Sequence, residues 1–137
     1  MKTTLIHKIL FSALTLMAVT LGSAPASAEC LLYKGQYGYG VAAHVEDGVV
    51  YKGQYSYSSV ARIQDLLIYE GLYSYNVLAH FEDGVIYRER YSYAVIGRVE
   101  GNLVYDSRFG YSVLAHAEGC TKEETIAAGA SLILGLL

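Results

Sequence analysis

Apolar and polar residues alternate with a period of two along much of the chain, and the pattern returns every 18 residues. Copies of one unit begin, without insertion or deletion, at Leu31, Val49, Leu67, Val85 and Leu103. A period of two is typical of strands with one buried face, and the enrichment in tyrosine and β-branched residues favours strands over helices. Each unit predicts two short strands and two turns, so the five copies predict ten strands.

The first strand of each unit carries aromatic residues. In copy two, Val49, Tyr51 and Tyr55 fall on one face, whereas Val50 and Lys52 fall on the other. We expect the face of Val49 to be the core, which would bury two aromatic columns. These columns are Tyr33, Tyr51, Tyr69, Tyr87 and Tyr105, and Tyr37, Tyr55, Tyr73, Tyr91 and Phe109.

The second strand of each unit carries a small residue and, two positions later, an apolar one. In copy two these are Ala61 and Ile63, and we expect both to face inward. The Asp-Gly pairs at 47–48 and 83–84 are strong hairpin signals between apolar runs. Serine, glycine and asparagine cluster near 56–58 and in the equivalent segments, which predicts the second turn of the unit.

A third aromatic column lies at this second turn and is expected to be exposed. Tyrosine combines a large apolar body with a polar tip and is favoured where recognition occurs. We therefore take this column as the candidate ligand-binding surface, with a glycan, a peptide or a component of the cell envelope as the expected partner. Its members are Tyr39, Tyr57, Tyr75, Tyr93 and Tyr111, which complete the 14 tyrosines of the chain.

Two cysteines, Cys30 and Cys120, bracket the repeats and discriminate between two folds. A five-coil β-solenoid, stacked at about 4.8 Å per coil, would separate its ends by roughly 20 Å. A disulfide requires about 4.4–6.8 Å between Cα atoms. Hairpins arranged in a ring would make the first and last copies neighbours. We therefore predict an all-β domain over 29–120, closed as an antiparallel ring or barrel and stapled by this pair, with the solenoid as the alternative.

Segments of different character flank the repeats. Residues 1–28 read as a signal peptide, with a basic start, an apolar stretch over 9–22 and an A-x-A cleavage site at 26–28. A retained transmembrane helix is the alternative, but the stretch is shorter than the ~20 residues that a span needs. An even cysteine count suits export, so we expect a periplasmic or secreted protein.

The tail, 121–137, predicts a short apolar helix. Thr121 is a candidate N-cap, and Glu123 and Glu124 supply an acidic first turn. The segment 126–137 is uncharged and too short to cross a bilayer as a helix. We expect it to plug the ring; contact with a membrane and a role as a sorting signal are the alternatives. Deleting it should then lower the melting temperature.

Charge and motifs narrow the function. The chain has a formal net charge of −3, and loss of the signal would make it more acidic, which argues against nucleic-acid binding. No G-x-S-x-G, H-E-x-x-H or phosphate-binding loop is present. We therefore predict no catalytic residue, no enzyme activity and no cofactor.

One polar column could hold a metal. Its members are His44, Arg62, His80, Arg98 and His116, and an acidic residue or glutamine follows each of them two positions on. Histidine and carboxylate would suit zinc or copper, but arginine does not give up its proton and interrupts such a site. We favour cation–carboxylate pairs in solvent and predict no metal site.

Over about residues 31–137, the sequence resembles bacterial short-tandem-repeat proteins with a Y-x-G-x-x-x-Y-S-x-x-V-x-A-x-x-x-G unit and an apolar C-terminal tail. The matching residues are Tyr51-Lys52-Gly53, Tyr57-Ser58 and Ala61 in copy two, and Tyr69-Glu70-Gly71, Tyr75, Val77, Ala79 and Gly84 in copy three. It also resembles, more loosely, the β-flower domains. The resemblance implies a hairpin-repeat fold and assigns no functional residue.

These features support two hypotheses of function. The first is an exported, non-enzymatic binding or scaffold domain of the bacterial cell envelope. The second is a structural subunit of an extracellular β fibre or matrix, assembled through strand edges. A monomer without free thiols would support the first, and fibres that bind amyloid dyes would support the second.

Overall fold

A computed structural model describes residues 29–137, so the predicted signal peptide lies outside the described residues. Ten antiparallel strands form one closed barrel, in which each strand pairs with the strands before and after it in sequence. The strands are β1 Cys30–Lys34, β2 Val41–Glu46, β3 Val49–Lys52, β4 Ser59–Gln64, β5 Leu67–Glu70, β6 Val77–Glu82, β7 Val85–Arg88, β8 Val95–Glu100, β9 Leu103–Tyr105 and β10 Val113–Glu118. One helix, α1, follows at Lys122–Ile133.

The first and last strands close the barrel. β1 pairs with β10, with Leu32 opposite Ala117 and Tyr33 opposite His116. Next to this seam, a disulfide joins Cys30 and Cys120, whose Cα atoms lie 4.5 Å apart. The predicted closed fold and the predicted disulfide are both confirmed, and the solenoid alternative is wrong.

The two ends of the barrel differ. Two-residue turns connect β2 to β3, β4 to β5, β6 to β7 and β8 to β9 at one end, here called the turn end. Asp47 and Gly48 have φ angles of 52° and 75°, the pattern of a type I′ turn that the Asp-Gly pair predicts. Asp65 and Leu66 adopt the same positive angles, 52° and 65°, without a glycine. The longer loops lie at the opposite end, here called the loop end.

Alternate residues of every strand face the core. In the odd-numbered strands, the residues that face the core are not the predicted set but the residues between them. The fully buried residues of these strands are Leu32, Val50, Ile68, Ile86 and Val104. Val49 and Tyr51 instead face outward. The prediction that the first two aromatic columns face the core is therefore wrong, although Tyr87 and Tyr105 of the first column are buried on the outer side of the wall. In the even-numbered strands, Ala61 is fully buried and Ile63 packs against the core, as predicted.

The prediction erred because each odd-numbered strand is short. The inward phase of β3 contains only Val50 before Lys52, which lies at the loop end and is exposed. A strand face with one apolar residue and one lysine resembles a face that points to solvent. The outward phase contains Tyr51, and a tyrosine paired with an apolar neighbour resembles a core phase.

Helix α1 runs through the barrel as the predicted plug. Ile126, Ala127, Ala128 and Ala130 are fully buried, and the helix contacts β1, β2, β3, β4, β8 and β9. An α-helix with its side chains is about 10–12 Å wide, so small residues on both partners let it fit. A Cβ atom on Gly97 would lie 2.6 Å from the Tyr105 carbonyl oxygen and would overlap Ile133 of the helix.

Both ends of α1 have defined caps. Thr121 and Glu124 form a capping box: the Glu124 amide donates to the Thr121 hydroxyl at 3.2 Å, and the Thr121 amide donates to the Glu124 carboxylate at 2.8 Å. At the other end, the Gly135 and Leu136 amides donate to the carbonyls of Leu132 and Ser131, which is a Schellman motif. None of the helical segments in residues 29–137 has the length and apolarity that a membrane-crossing helix needs.

Candidate binding surface

Five loops at the loop end carry the second and third aromatic columns. These aromatic loops are residues 35–40, 53–58, 71–76, 89–94 and 106–112. Four of the five odd-numbered strands, all except β9, stop just before their loops because the next residue leaves the strand conformation: Gly35, Gly53 and Gly71 have φ angles of 63° to 75°, and Glu89 has 61°. Only glycine adopts such angles at little cost, so the three glycines end the strand alternation there.

Four of the five loops, all except 106–112, are tied by backbone bonds to the strand of the preceding copy. The Gly53 amide donates to the Ala42 carbonyl at 2.8 Å, and the Lys52 amide closes the loop on the Ser58 carbonyl at 3.0 Å. The Ser58 amide also donates to the Ser56 hydroxyl at 3.0 Å. The same bonds recur in other copies, for example from Gly71 to Val60 and from Glu89 to Leu78. Backbone bonds therefore fix the loops that display the aromatic side chains.

The column of histidine and arginine holds these loops. His44 donates from Nδ1 to the Gly53 carbonyl at 2.8 Å, and His80 donates to the Glu89 carbonyl at 2.7 Å. A carbonyl oxygen only accepts, so these contacts place the proton on Nδ1. Arg98 donates from one nitrogen to the carbonyls of Ser107 and Gly110. Arginine and histidine therefore serve the same purpose at alternate copies.

The first aromatic column packs against the same polar column on the outer wall. His44 lies opposite Tyr51 in the strand register, and their rings stack with centroids 5.0 Å apart. In the alternate copies the arginine replaces the imidazole, and the Arg98 guanidinium lies 3.9 Å from the centre of the Tyr105 ring. The contact across the barrel seam is the same, since Tyr33 stacks on His116 at 5.0 Å.

This use of the polar column bears on the metal hypothesis. The imidazoles of His44, His80 and His116 are already bound to carbonyls and stacked on tyrosines. Arg98 is the residue of the column that forms an ion pair within residues 29–137, with Glu100 at 3.1 Å. No group of three or more potential metal ligands comes together in that same range. One copy thus forms an ion pair of the predicted kind, but its arginine is buried and not in solvent. A bond from this column to a loop carbonyl occurs in all five copies.

Ten aromatic side chains of the loops are exposed, and we call them the aromatic belt. Their relative exposures lie between 71% and 92%, so each ring is largely free. The belt consists of Tyr37, Tyr39, Tyr55, Tyr57, Tyr73, Tyr75, Tyr91, Tyr93, Phe109 and Tyr111. It contains all five predicted candidate residues of the third column. It also contains the second column, which was predicted to lie in the core.

The two columns of the belt differ in their contacts. Rings of the third column pack edge-on against the outer wall, as Tyr57 does on Tyr51 at 5.4 Å and Tyr93 on Tyr87 at 5.7 Å. Rings of the second column are equally exposed, and Tyr91 and Phe109 have the guanidinium groups of Arg90 and Arg108 beside them. The recurring glycine at 35, 53 and 71 was the sequence signal for this placement, because it ends the strand before the second column.

Comparisons with protein-family models, with curated proteins and with solved structures found no match to this chain. The resemblance to short-tandem-repeat proteins and to β-flower domains stays a prediction. The disulfide is compatible with an oxidising compartment outside the cytoplasm.

Proposed function

We propose that the protein is an exported, non-enzymatic binding domain of the bacterial cell envelope, and that the aromatic belt is its binding surface. The observation that carries this proposal is the exposure of ten aromatic rings on one set of loops. Clusters of exposed aromatic side chains mark interaction sites in proteins, and tyrosine is enriched in such sites.

The rigidity of the loops supports the same proposal. Binding costs less when the contacting groups are already ordered in the free protein. Here the loop amides bond to the preceding copy, and His44, His80 and Arg98 bind loop carbonyls from the side. The loop backbone that carries the belt is therefore held in place before any ligand arrives.

Export, to the periplasm or beyond the cell, is supported by two features. Residues 1–28 have the composition of a signal peptide, and the Cys30–Cys120 bond suits an oxidising compartment. The fibre hypothesis has less support, because assembly through β edges needs an unpaired strand and each of the ten strands is paired on both sides.

The proposal is tested with envelope fractions. Tyr37→Ser, Tyr55→Ser and Tyr73→Ser, combined in one variant, should reduce co-sedimentation of the exported protein with isolated membranes and cell-wall sacculi at least tenfold. The matched control replaces the same three residues with phenylalanine, the residue that copy five carries at 109. The control should bind like the parent protein. Equal binding by the serine variant would contradict the proposal.

A further inference from the structure

Charge is distributed unequally between the two ends of the barrel. The loop end, residues 34–40, 52–58, 70–76, 88–94 and 106–112, carries five basic and three acidic side chains. The turn end, residues 29, 46–48, 64–66, 82–84, 100–102 and 118–124, carries ten acidic side chains and one basic. The molecule is therefore an electric dipole with a negative turn end and a positive loop end. The positive end bears the aromatic belt.

Apolar residues emerge at the centre of the same end. Helix α1 begins at the turn end, directly after β10, and crosses the barrel, so that its C-terminus lies at the loop end. Leu134, Leu136 and Leu137 lie in or just after the Schellman motif there, where they pack against the end of the core and are only partly buried. Leu134 lines a cavity together with Tyr75 and Tyr91 of the belt. The leucines therefore lie at the mouth of the barrel, with the aromatic belt around it.

This combination of groups matches a lipid surface. Tyrosine prefers the boundary between headgroups and acyl chains, because its ring is apolar and its hydroxyl is polar. Binding at that boundary grows with the apolar area buried and with attraction between basic residues and anionic lipids. The acidic turn end would also orient the molecule, since an anionic surface repels it. A glycan would use the rings but would not need the leucines or the charge dipole.

We propose that the loop end docks on an anionic phospholipid bilayer, with the leucines inserted and the aromatic belt at the depth of the headgroups. This inference rests on the proposed function and names its partner. The barrel stands on the bilayer with its acidic turn end facing away from the lipid.

The first experiment measures binding of the oxidised, exported protein to vesicles of phosphatidylcholine alone or mixed with phosphatidylglycerol. Binding to the mixed vesicles should be at least tenfold stronger and should fall as salt is added, because the charges involved are exposed. Arg90→Gln and Arg108→Gln together should weaken it by about 30-fold. Lys122→Gln, at the turn end, is the matched control and should leave binding unchanged.

The second experiment reports orientation. The chain has no tryptophan, so a single one introduced into it reports its own environment. The emission of Leu137→Trp should shift to the blue and be quenched by brominated lipid when mixed vesicles are added. That of Asn102→Trp, an exposed position at the turn end, should not change.

The outcomes separate this inference from the proposed function. Equal binding to neutral and anionic vesicles, or a blue shift at 102 instead of 137, would overturn the proposed orientation on anionic lipid. Binding to cell-wall sacculi but not to vesicles, lost when the second-column tyrosines are replaced by serine, would overturn the bilayer as partner and leave the belt as a binding surface. An absence of binding to vesicles, membranes and sacculi would overturn both.

Discussion

The polar column of each even-numbered strand binds the aromatic loop of the next copy with two different side chains. His44, His80 and His116 each make one bond from Nδ1 and stack on a tyrosine. Arg62 and Arg98 make their bonds from a guanidinium that lies over the equivalent ring. Imidazole and guanidinium are both flat donors, so both can cover a ring and reach a carbonyl.

Replacement of Arg98 tests this column. Arg98 is buried, and its two loop bonds involve a charged donor, so Arg98→Ala should lower the free energy of unfolding by about 2–3 kcal/mol. Arg98→His supplies the side chain of the odd copies and should cost less. Arg62→Ala, which removes one loop bond from a less buried residue, should cost about 1 kcal/mol. Urea denaturation of the oxidised proteins measures all three; equal losses for both alanine variants would contradict the argument.

Leu66 is strained by the turn in which it lies. Its φ of 65° is in the left-handed region, where a side chain costs roughly 1–2 kcal/mol, and its side chain is exposed. Glycine holds the equivalent position in copies one and three, at 48 and 84. Leu66→Gly should therefore raise the free energy of unfolding by about 1 kcal/mol, net of glycine's entropy in the unfolded chain. Gly48→Ala is the reverse control and should destabilise; thermal and urea unfolding measure both.

At the scale of the elements, the repeat period predicted the number of strands and their order, and the short uncharged tail predicted the plug. The bracketing cysteines predicted closure, because only neighbouring ends can share a disulfide. The facing of the odd-numbered strands could not be predicted by alternation alone. Each of these strands has about four residues, so its pattern contrasts one inward aliphatic residue with one outward tyrosine and does not show which is buried. In addition, His44 on the neighbouring strand covers Tyr51, and the sequence of one strand does not reveal such a contact. The second column of the aromatic belt was misplaced for the same reason.

The helix and the barrel wall fit closely. We therefore expect the effect of one helix substitution on the free energy of unfolding to change sign when the wall residue it meets is made smaller. A Cβ atom on Gly129 would lie 3.0 Å from both methyl groups of Val104. Gly129→Ala should therefore destabilise the parent protein by about 1–2 kcal/mol, since overpacking outweighs the gain in helix propensity. In a Val104→Ala background, the same substitution should stabilise by about 1 kcal/mol. A double-mutant cycle in urea measures the coupling. The same sign in both backgrounds would contradict the proposed contact.

At the scale of the whole molecule, closure of the barrel both stabilises the fold and removes strand edges through which molecules could associate. Pairing of β1 with β10 leaves no free edge among the described strands, although tyrosine, valine and isoleucine are abundant in them. An opened barrel would expose two such edges, which are templates for association between molecules. Assembly through strand edges would therefore require an open form of the chain, in contrast to the closed form of the barrel.

Removal of the disulfide separates these two forms. Cys30 and Cys120 are 90 residues apart, and a crosslink over so long a loop stabilises by about 4–5 kcal/mol on the chain-entropy model. A variant with both cysteines replaced by serine should lose up to that amount in urea and should bind amyloid dyes sooner on prolonged incubation. Its amides on β1 should exchange faster than those on β5, because the seam then has no covalent link. Disulfide-linked multimers of the oxidised parent, seen in its mass without reductant, would instead mean that the two sulfurs pair between molecules.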